Sequence, residues 1–299
     1  MDKITVSVPA TCANLGCGFD CFGLAIDIRN TVTAEVSDRL HIESDLNDPS
    51  IPLDETNLIY RSAILTAERF SKCLPPLKLI QHDRIPLSSG MGSSSACTVA
   101  GIYIAKSILG IEMSDDEALK IATDIEGHPD NAAPCIFGGL TVCMKKDGRL
   151  IKKTLPVKDD LSVLVCHPSF RFSTEEARRL LPKTVPMGKA VSNIAGASLF
   201  IASVLSGDYS LFSESLDDSL HQPYRKALIR GYDEITSFAI GNGALGTCIS
   251  GAGPSILIFS DTRRLDDLRE KISGFAASLE DHWDIYPSSI SKQGVIVSF

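Results

Sequence analysis

The chain has 299 residues, enough for a large core and more than one domain, and its 44% hydrophobic and 22% charged residues describe an ordinary globular protein. A formal net charge of −8 leaves no basic surface by default for nucleic acid or anionic lipid. Nine cysteines, with Cys12, Cys17 and Cys21 clustered but no second Cys/His pair to complete a zinc set, read as reduced thiols of a cytoplasmic protein.

Taken in order, the chain starts on a strand pattern from Ile4 to Val8, without the charged and apolar regions of a signal peptide, and Pro9 is expected to end it. No apolar run reads as a membrane span. The stretch Ala10–Asp20 then reads as a loop in which Gly16 and Gly18 permit unusual backbone angles, so that Asn14 and Asp20 can turn toward one point. A tight turn whose Asn and Asp bond their own backbone gives the same pattern. Asn30–Val36 and Leu40–Ser44 read as a hairpin around Ser37-Asp38-Arg39. A helix is expected over Glu55–Ser71, and a strand over Leu77–His82.

That strand leads into Ile85–Ala96, a stretch with two glycines and five serines, followed by an apolar helical pattern from Ala96 to Leu109. Small residues let backbone N–H groups converge, and a helix starting there adds four unsatisfied N–H groups and the positive end of its dipole. This is an anion site, and phosphate is its usual anion. No Gly-Lys-Ser/Thr closes the loop, so it is not the common P-loop. A Ser/Gly turn capping a buried helix remains the plainer alternative.

Ser114 and Glu117 form a capping box for a helix that ends at Gly127. Glu126 therefore sits at the negative end of a helix, an odd choice for stability alone. His128-Pro129-Asp130-Asn131 follows as a polar loop before the strand Leu140–Met144, and His128 reads equally well as a satisfied loop histidine. A domain boundary is expected near Lys152–Asp160, dividing the chain into 1–155 and 156–299. In the second half, Ser173 and Glu176 form another capping box for a helix carrying Arg178 and Arg179. Val191–Leu205 is strongly apolar, and His221-Gln222-Pro223-Tyr224-Arg225 opens a further helix. The glycine-rich Gly241–Gly253 runs into the strand Ser255–Phe259, and an amphipathic helix and terminal strands close the chain. Alternating hairpins and helices of this kind suggest an α+β protein.

Three stretches, Pro9–Asp20, Pro86–Ala96 and Ser250–Pro254, resemble in order and character the three motifs of the GHMP small-molecule kinases. Glu126–Asn131 and His221–Arg225 narrow the resemblance to the homoserine kinases among them. It implies a two-domain GHMP kinase fold, with an N-terminal domain of the ribosomal S5 domain 2 type and a ferredoxin-like C-terminal domain. It further implies ATP and Mg²⁺ as cofactors, L-homoserine as substrate, and a homodimer. The resemblance assigns ATP binding to Pro86, Leu87, Ser88, Ser89, Gly90, Met91, Gly92, Ser93, Ser94, Ser95 and Ala96, with Gly251 and Gly253. Ser94 and Glu126 are the implied Mg²⁺ ligands, with Asp124 an alternative one half-turn away. Asn14, Asp20, His128, Asn131, Arg178 and Arg225 are the implied substrate contacts, the two arginines for a carboxylate. Asn131, Ser94 and Glu126 carry the implied catalysis, Asn131 orienting the acceptor hydroxyl, with Asp130 an alternative base. Another kinase of the same family, acting on mevalonate or shikimate, and a sensor without activity are the competing readings.

Overall fold

The computed structural model describes residues 3–46 and 48–299. Its first sheet is built on two long strands, β1 (Ile4–Ala13) and β2 (Phe22–Val36), paired antiparallel along their length. β1 does not stop at Pro9. The register shifts between Pro9 and Ala10, so the missing proline N–H is absorbed as a bulge, and the strand continues with every side chain from Val8 to Ala13 buried. The first motif is thus half strand.

β3 (His41–Ser44) also departs from the sequence expectation. It does not form a hairpin with β2; it lies parallel to β4 (Leu77–His82), which takes the place beside β2. The reason is burial. β4 offers Leu77, Leu79 and Gln81 to the interior, whereas β3 offers Ile42 alone and suits an edge. Between them runs α1 (Leu58–Arg69), which starts later than expected because the Asn57 side chain, not Glu55, caps it by accepting from the Ile59 N–H.

The helix after the serine-rich loop, α2 (Ser93–Ile108), begins inside the motif, three residues before the apolar pattern does. Its Val99, Ile102 and Ile104 are fully buried, so it is the central helix of this half. α3 (Asp115–Glu126) has the expected Ser114/Glu117 capping box and a left-handed Gly127 at its end. The polar loop after it is short, because α4 (Ala132–Phe137) starts at once. β5 (Leu140–Lys146) and β6 (Arg149–Leu155) extend the sheet from the start of β2.

The second sheet begins with β7 (Leu161–Pro168), buried on both faces. Leu161, Val163 and Val165 join the first core, and Leu164 and Cys166 a second one, as the alternation of a strand demands. After α5 (Thr174–Arg179), α6 (Met187–Ser206), α7 (Phe212–Ser215), α8 (Gln222–Arg225) and α9 (Tyr232–Gly241) come β8 (Gly246–Ile249) and β9 (Ile256–Asp261), then α10 (Leu265–Ala276) and β10 (Trp283–Ser289). The strand order is β10-β7-β9-β8, all antiparallel. α9 and α10 supply Ile235, Ala239, Leu268 and Ile272 to the second core. β11 (Ile296–Ser298) then returns to the first sheet and pairs with β1, so the last strand of the chain belongs to its first half.

α6 differs from its sequence reading. Among the described residues it is the one helix long and apolar enough to cross a membrane, by length and composition. It packs through one stripe, Asn193, Gly196, Phe200 and Val204, at the 3–4 spacing of a helix lying on a domain. Met187, Val191 and Ile194 stay exposed.

Candidate functional site

All three motifs meet at one cavity of about 650 Å³ at the N-terminus of α2. Gly92 is the N-cap of α2, in the left-handed region at φ +71°, and has no side chain with which to cap. The amides of the first turn are therefore left for a ligand. Ser88 and Gly90 are also left-handed, at φ +53° and +78°, which wraps the chain around the helix end. Gly90 has a second reason to be glycine: a Cβ there would lie 2.3 Å from the Ser250 carbonyl oxygen.

The third motif holds this loop from the other half of the chain. Ser250 Oγ donates to the Gly90 carbonyl at 2.7 Å, and the Ser255 N–H donates to the Ser89 carbonyl at 3.2 Å. Within the loop, Ser89 Oγ donates to the Pro86 carbonyl at 2.7 Å. Ser88, Ser89, Gly90, Gly92, Ser93, Ser94, Ser95, Gly251 and Gly253 line the cavity, as does Ala252. Met91 and Ala96 point into the core instead, and Pro86 and Leu87 are half-buried away from the lining.

Glu126 faces the same helix end. Its carboxylate accepts from Ser94 Oγ at 3.0 Å, Ser95 Oγ at 2.9 Å and Thr98 Oγ1 at 2.8 Å, all from the first two turns of α2. Nearby, Lys145 Nζ donates to the Gly127 carbonyl at 2.7 Å, placing a cation at the negative end of α3. Asp124 points outward to Arg69 at 2.7 Å and takes no part. Asp130 is buried; its Oδ1 accepts from the Asn131 N–H and faces His128 Nδ1 at 2.8 Å. That hydrogen bond to the carboxylate raises the His128 pKa above its ordinary value, against the opposing effect of burial.

The cavity lining also includes two arginines, Arg178 and Arg225. Arg178 forms a two-pronged ion pair with Asp20, at 3.0 and 3.1 Å. Arg225 is fully buried, bonded to the Gly251 carbonyl at 3.1 Å, and its Nε has no partner among the described residues. Burial first, and the Arg178 cation second, pull its pKa down to about 10. His221 Nε2 donates to the Gly16 carbonyl at 2.9 Å, leaving Nδ1 to accept from Arg225 at 3.3 Å. Burial lowers the His221 pKa, and the neutral ring is the form that makes both bonds. Asn14 spends its side chain on the motifs themselves, donating to the Gly251 carbonyl at 2.6 Å and accepting from the Asp20 N–H at 2.9 Å.

Two profiles of the GHMP kinase family, for its N-terminal domain and its C-terminal domain, match residues 57–139 and 200–277. A homoserine kinase of Aquifex aeolicus is 40% identical over 91% of this chain and 93% of its own length. One of Caldicellulosiruptor saccharolyticus is 37% identical over 98% and 96%. The crystal structure of a homoserine kinase from Cytophaga hutchinsonii superposes with a TM-score of 0.91 at 32% identity, over 100% of this chain and 98% of that one. The chain belongs to the homoserine kinases of the GHMP kinase family.

In this GHMP kinase the sequence reading passed over several groups that shape the site. Phe19 stacks on His221 with ring centroids 5.1 Å apart and lies under both guanidiniums, at 5.2 Å from Arg225 and 5.7 Å from Arg178. Its place between Gly18 and Asp20 of the first motif was the available signal. Thr98 recurs four residues after Ser94, the spacing that puts hydroxyls on one helical face. Leu58, Arg61 and Leu65 of α1 also line the cavity, and their i, i+3, i+7 spacing was readable as one face without naming what it faces.

Proposed function

We propose that the chain transfers the terminal phosphoryl group of ATP to the side-chain hydroxyl of L-homoserine, giving O-phospho-L-homoserine on the way to threonine. The observation that carries this reading is the pairing of two chemically different sites in one cavity. An uncapped helix end in a serine-rich loop lines part of it, and Arg178 and Arg225 with Asp20 line another part. The first suits a polyphosphate. The second suits a zwitterion, with guanidiniums for its carboxylate and Asp20 for its ammonium.

Phosphoryl transfer needs in-line positioning and charge neutralisation more than covalent help. The amides at residues 88–95 bind and orient the donor. Asn131, on the cavity wall, orients the acceptor hydroxyl. Asp130 Oδ1 already accepts from the Asn131 N–H and faces His128 Nδ1 at 2.8 Å, so this oxygen is engaged within its own loop. The acceptor proton therefore leaves with the phosphate rather than through Asp130.

The donor set suits Mg²⁺. Ser94 and Glu126 present a hydroxyl and a carboxylate on one side of the loop, oxygen ligands that leave room for waters and phosphate oxygens. Bound there, Mg²⁺ would supply charge neutralisation along the phosphates. The exposed Met187, Val191 and Ile194 of α6 support the homodimer, for which light scattering is the check. Nine free thiols, most buried with raised pKa, support a reducing compartment such as the cytoplasm.

The test is a coupled ADP-release assay with L-homoserine, mevalonate and shikimate. Turnover of L-homoserine, with ³¹P detection of its O-phosphate, is expected. Turnover of another acceptor alone, or tight ATP binding with no turnover, would overturn the reading.

A further inference from the structure

Thr11 lies in the first motif, on the stretch of β1 beyond the Pro9 bulge, and is fully buried. It does not line the cavity. Its backbone N–H donates to the Met91 carbonyl at 3.0 Å, and so ties β1 to the phosphate loop. Its hydroxyl donates to Asn131 Oδ1 at 2.8 Å. The contact is close: a Cβ built on Gly92 would fall 2.0 Å from Thr11 Oγ1 and 3.1 Å from Asn131 Oδ1. Loop, threonine and asparagine therefore converge on one point.

A threonine hydroxyl has a single proton to give. Donated to Oδ1, it occupies the amide oxygen of Asn131 and turns the NH₂ group toward the cavity that Asn131 lines. An amide held this way offers N–H to an oxygen nucleophile and cannot take that oxygen's proton. The same residue also fixes the distance between the amide and the donor loop, through the Met91 bond.

We propose that Thr11 is a positioning residue for the transfer step: it sets the orientation of the Asn131 amide and couples it to the phosphate loop. The inference rests on the kinase reading above. It goes further by assigning the orientation to one hydroxyl that touches neither substrate.

The test is a double-mutant cycle of Thr11→Val and Asn131→Ala, with Thr11→Ser as the conservative variant. Thr11→Val should lower kcat about tenfold or more while both KM values stay within about threefold. Thr11→Ser should restore kcat, and Thr11→Val should cost nothing further in an Asn131→Ala background. Wild-type kcat in Thr11→Val, equal loss in the serine and valine variants, or full additivity would each overturn it. If Thr11→Val does not fold, Thr11→Ala takes its place in the cycle. Independently of turnover, the Asn131 side-chain NH₂ signal in ¹⁵N–¹H spectra should move in the apolar variant and keep its position in Thr11→Ser; an unmoved signal in the apolar variant refutes the proposal. Should the wild type prefer a different acceptor alcohol, the substrate reading fails while the cycle is read with that acceptor.

Discussion

Arg178 and Asp20 grip each other through two parallel hydrogen bonds of 3.0 and 3.1 Å across the wall of the cavity, from positions 158 residues apart in the chain. The pair is half-exposed, so its contribution to stability is small, but it sets the direction of the guanidinium. Asp20→Asn leaves the shape and removes the charge that holds Arg178. KM for L-homoserine should rise about tenfold or more with KM for ATP little changed, measured by ADP release at saturating co-substrate. An equal rise in both would mean that Asp20 serves the loops rather than the zwitterion.

Arg225 is a different case. It is buried, no carboxylate among the described residues is bonded to it, and burial depresses its pKa, so folding penalises its charge. Arg225→Met, apolar and of similar length, should raise Tm by about 2 °C or more while KM for L-homoserine rises at least about tenfold. Calorimetry and steady-state kinetics on the same preparation decide it, and a lower Tm would show that the Gly251 and His221 bonds outweigh the burial cost.

Glu126 is held by three hydroxyls that would hold an amide nearly as well. Glu126→Gln should therefore keep its Tm, yet lose about 100-fold in kcat and need more Mg²⁺ for half-maximal rate. The titration of rate against Mg²⁺ is the check, and an unchanged titration would remove Glu126 from the proposed Mg²⁺ ligands.

Gly90 has no space for a side chain on the face toward Ser250 and sits at a positive φ. Gly90→Ala should push the loop off the third motif and raise KM for ATP more than KM for L-homoserine. Ser250→Ala, which removes the bond to the Gly90 carbonyl, should show the same bias in milder form, at about 1–3 kcal/mol in stability. Kinetics and urea titration on both variants test the order.

His128 has a pKa raised in the folded protein by Asp130. A raised basic pKa stabilises the fold fully below the ordinary imidazole value of about 6.5, and that stabilisation disappears as pH rises through the folded value. The Tm difference between wild type and His128→Gln should therefore be largest near about pH 5.5 and shrink by about pH 9. A difference that grows toward alkaline pH would contradict the charged pair.

The sequence displayed the site better than it displayed the sheet. Ser88–Ser95 and Glu126 stand out in short-range pattern, since a helix N-terminus after a serine-rich loop is a local event, whereas Arg225 was singled out only through the family resemblance. Strand order is not local: β3 is an edge strand because β4 has more to bury, and Leu77 and Leu79 had to be weighed against Ile42 to see it. Pro9 looked like a terminus because only pairing with β2 reveals that a bulge can carry the strand past it. Phe19, Thr11 and Ser250 were equally hidden. Their partners, His221, Asn131 and Gly90, lie more than a hundred residues away, and no periodicity announces such a contact.

The serine-rich loop is fastened across the two halves of the chain by Ser250 and Ser255, while Asn14 and Gly251 fasten the first motif to the third. A hinge that swung the halves apart would have to unpick those bonds in every catalytic cycle. The halves are therefore locked to one another at the very loop that closes the cavity, whose remaining wall beside it is Leu58, Arg61 and Leu65 of α1.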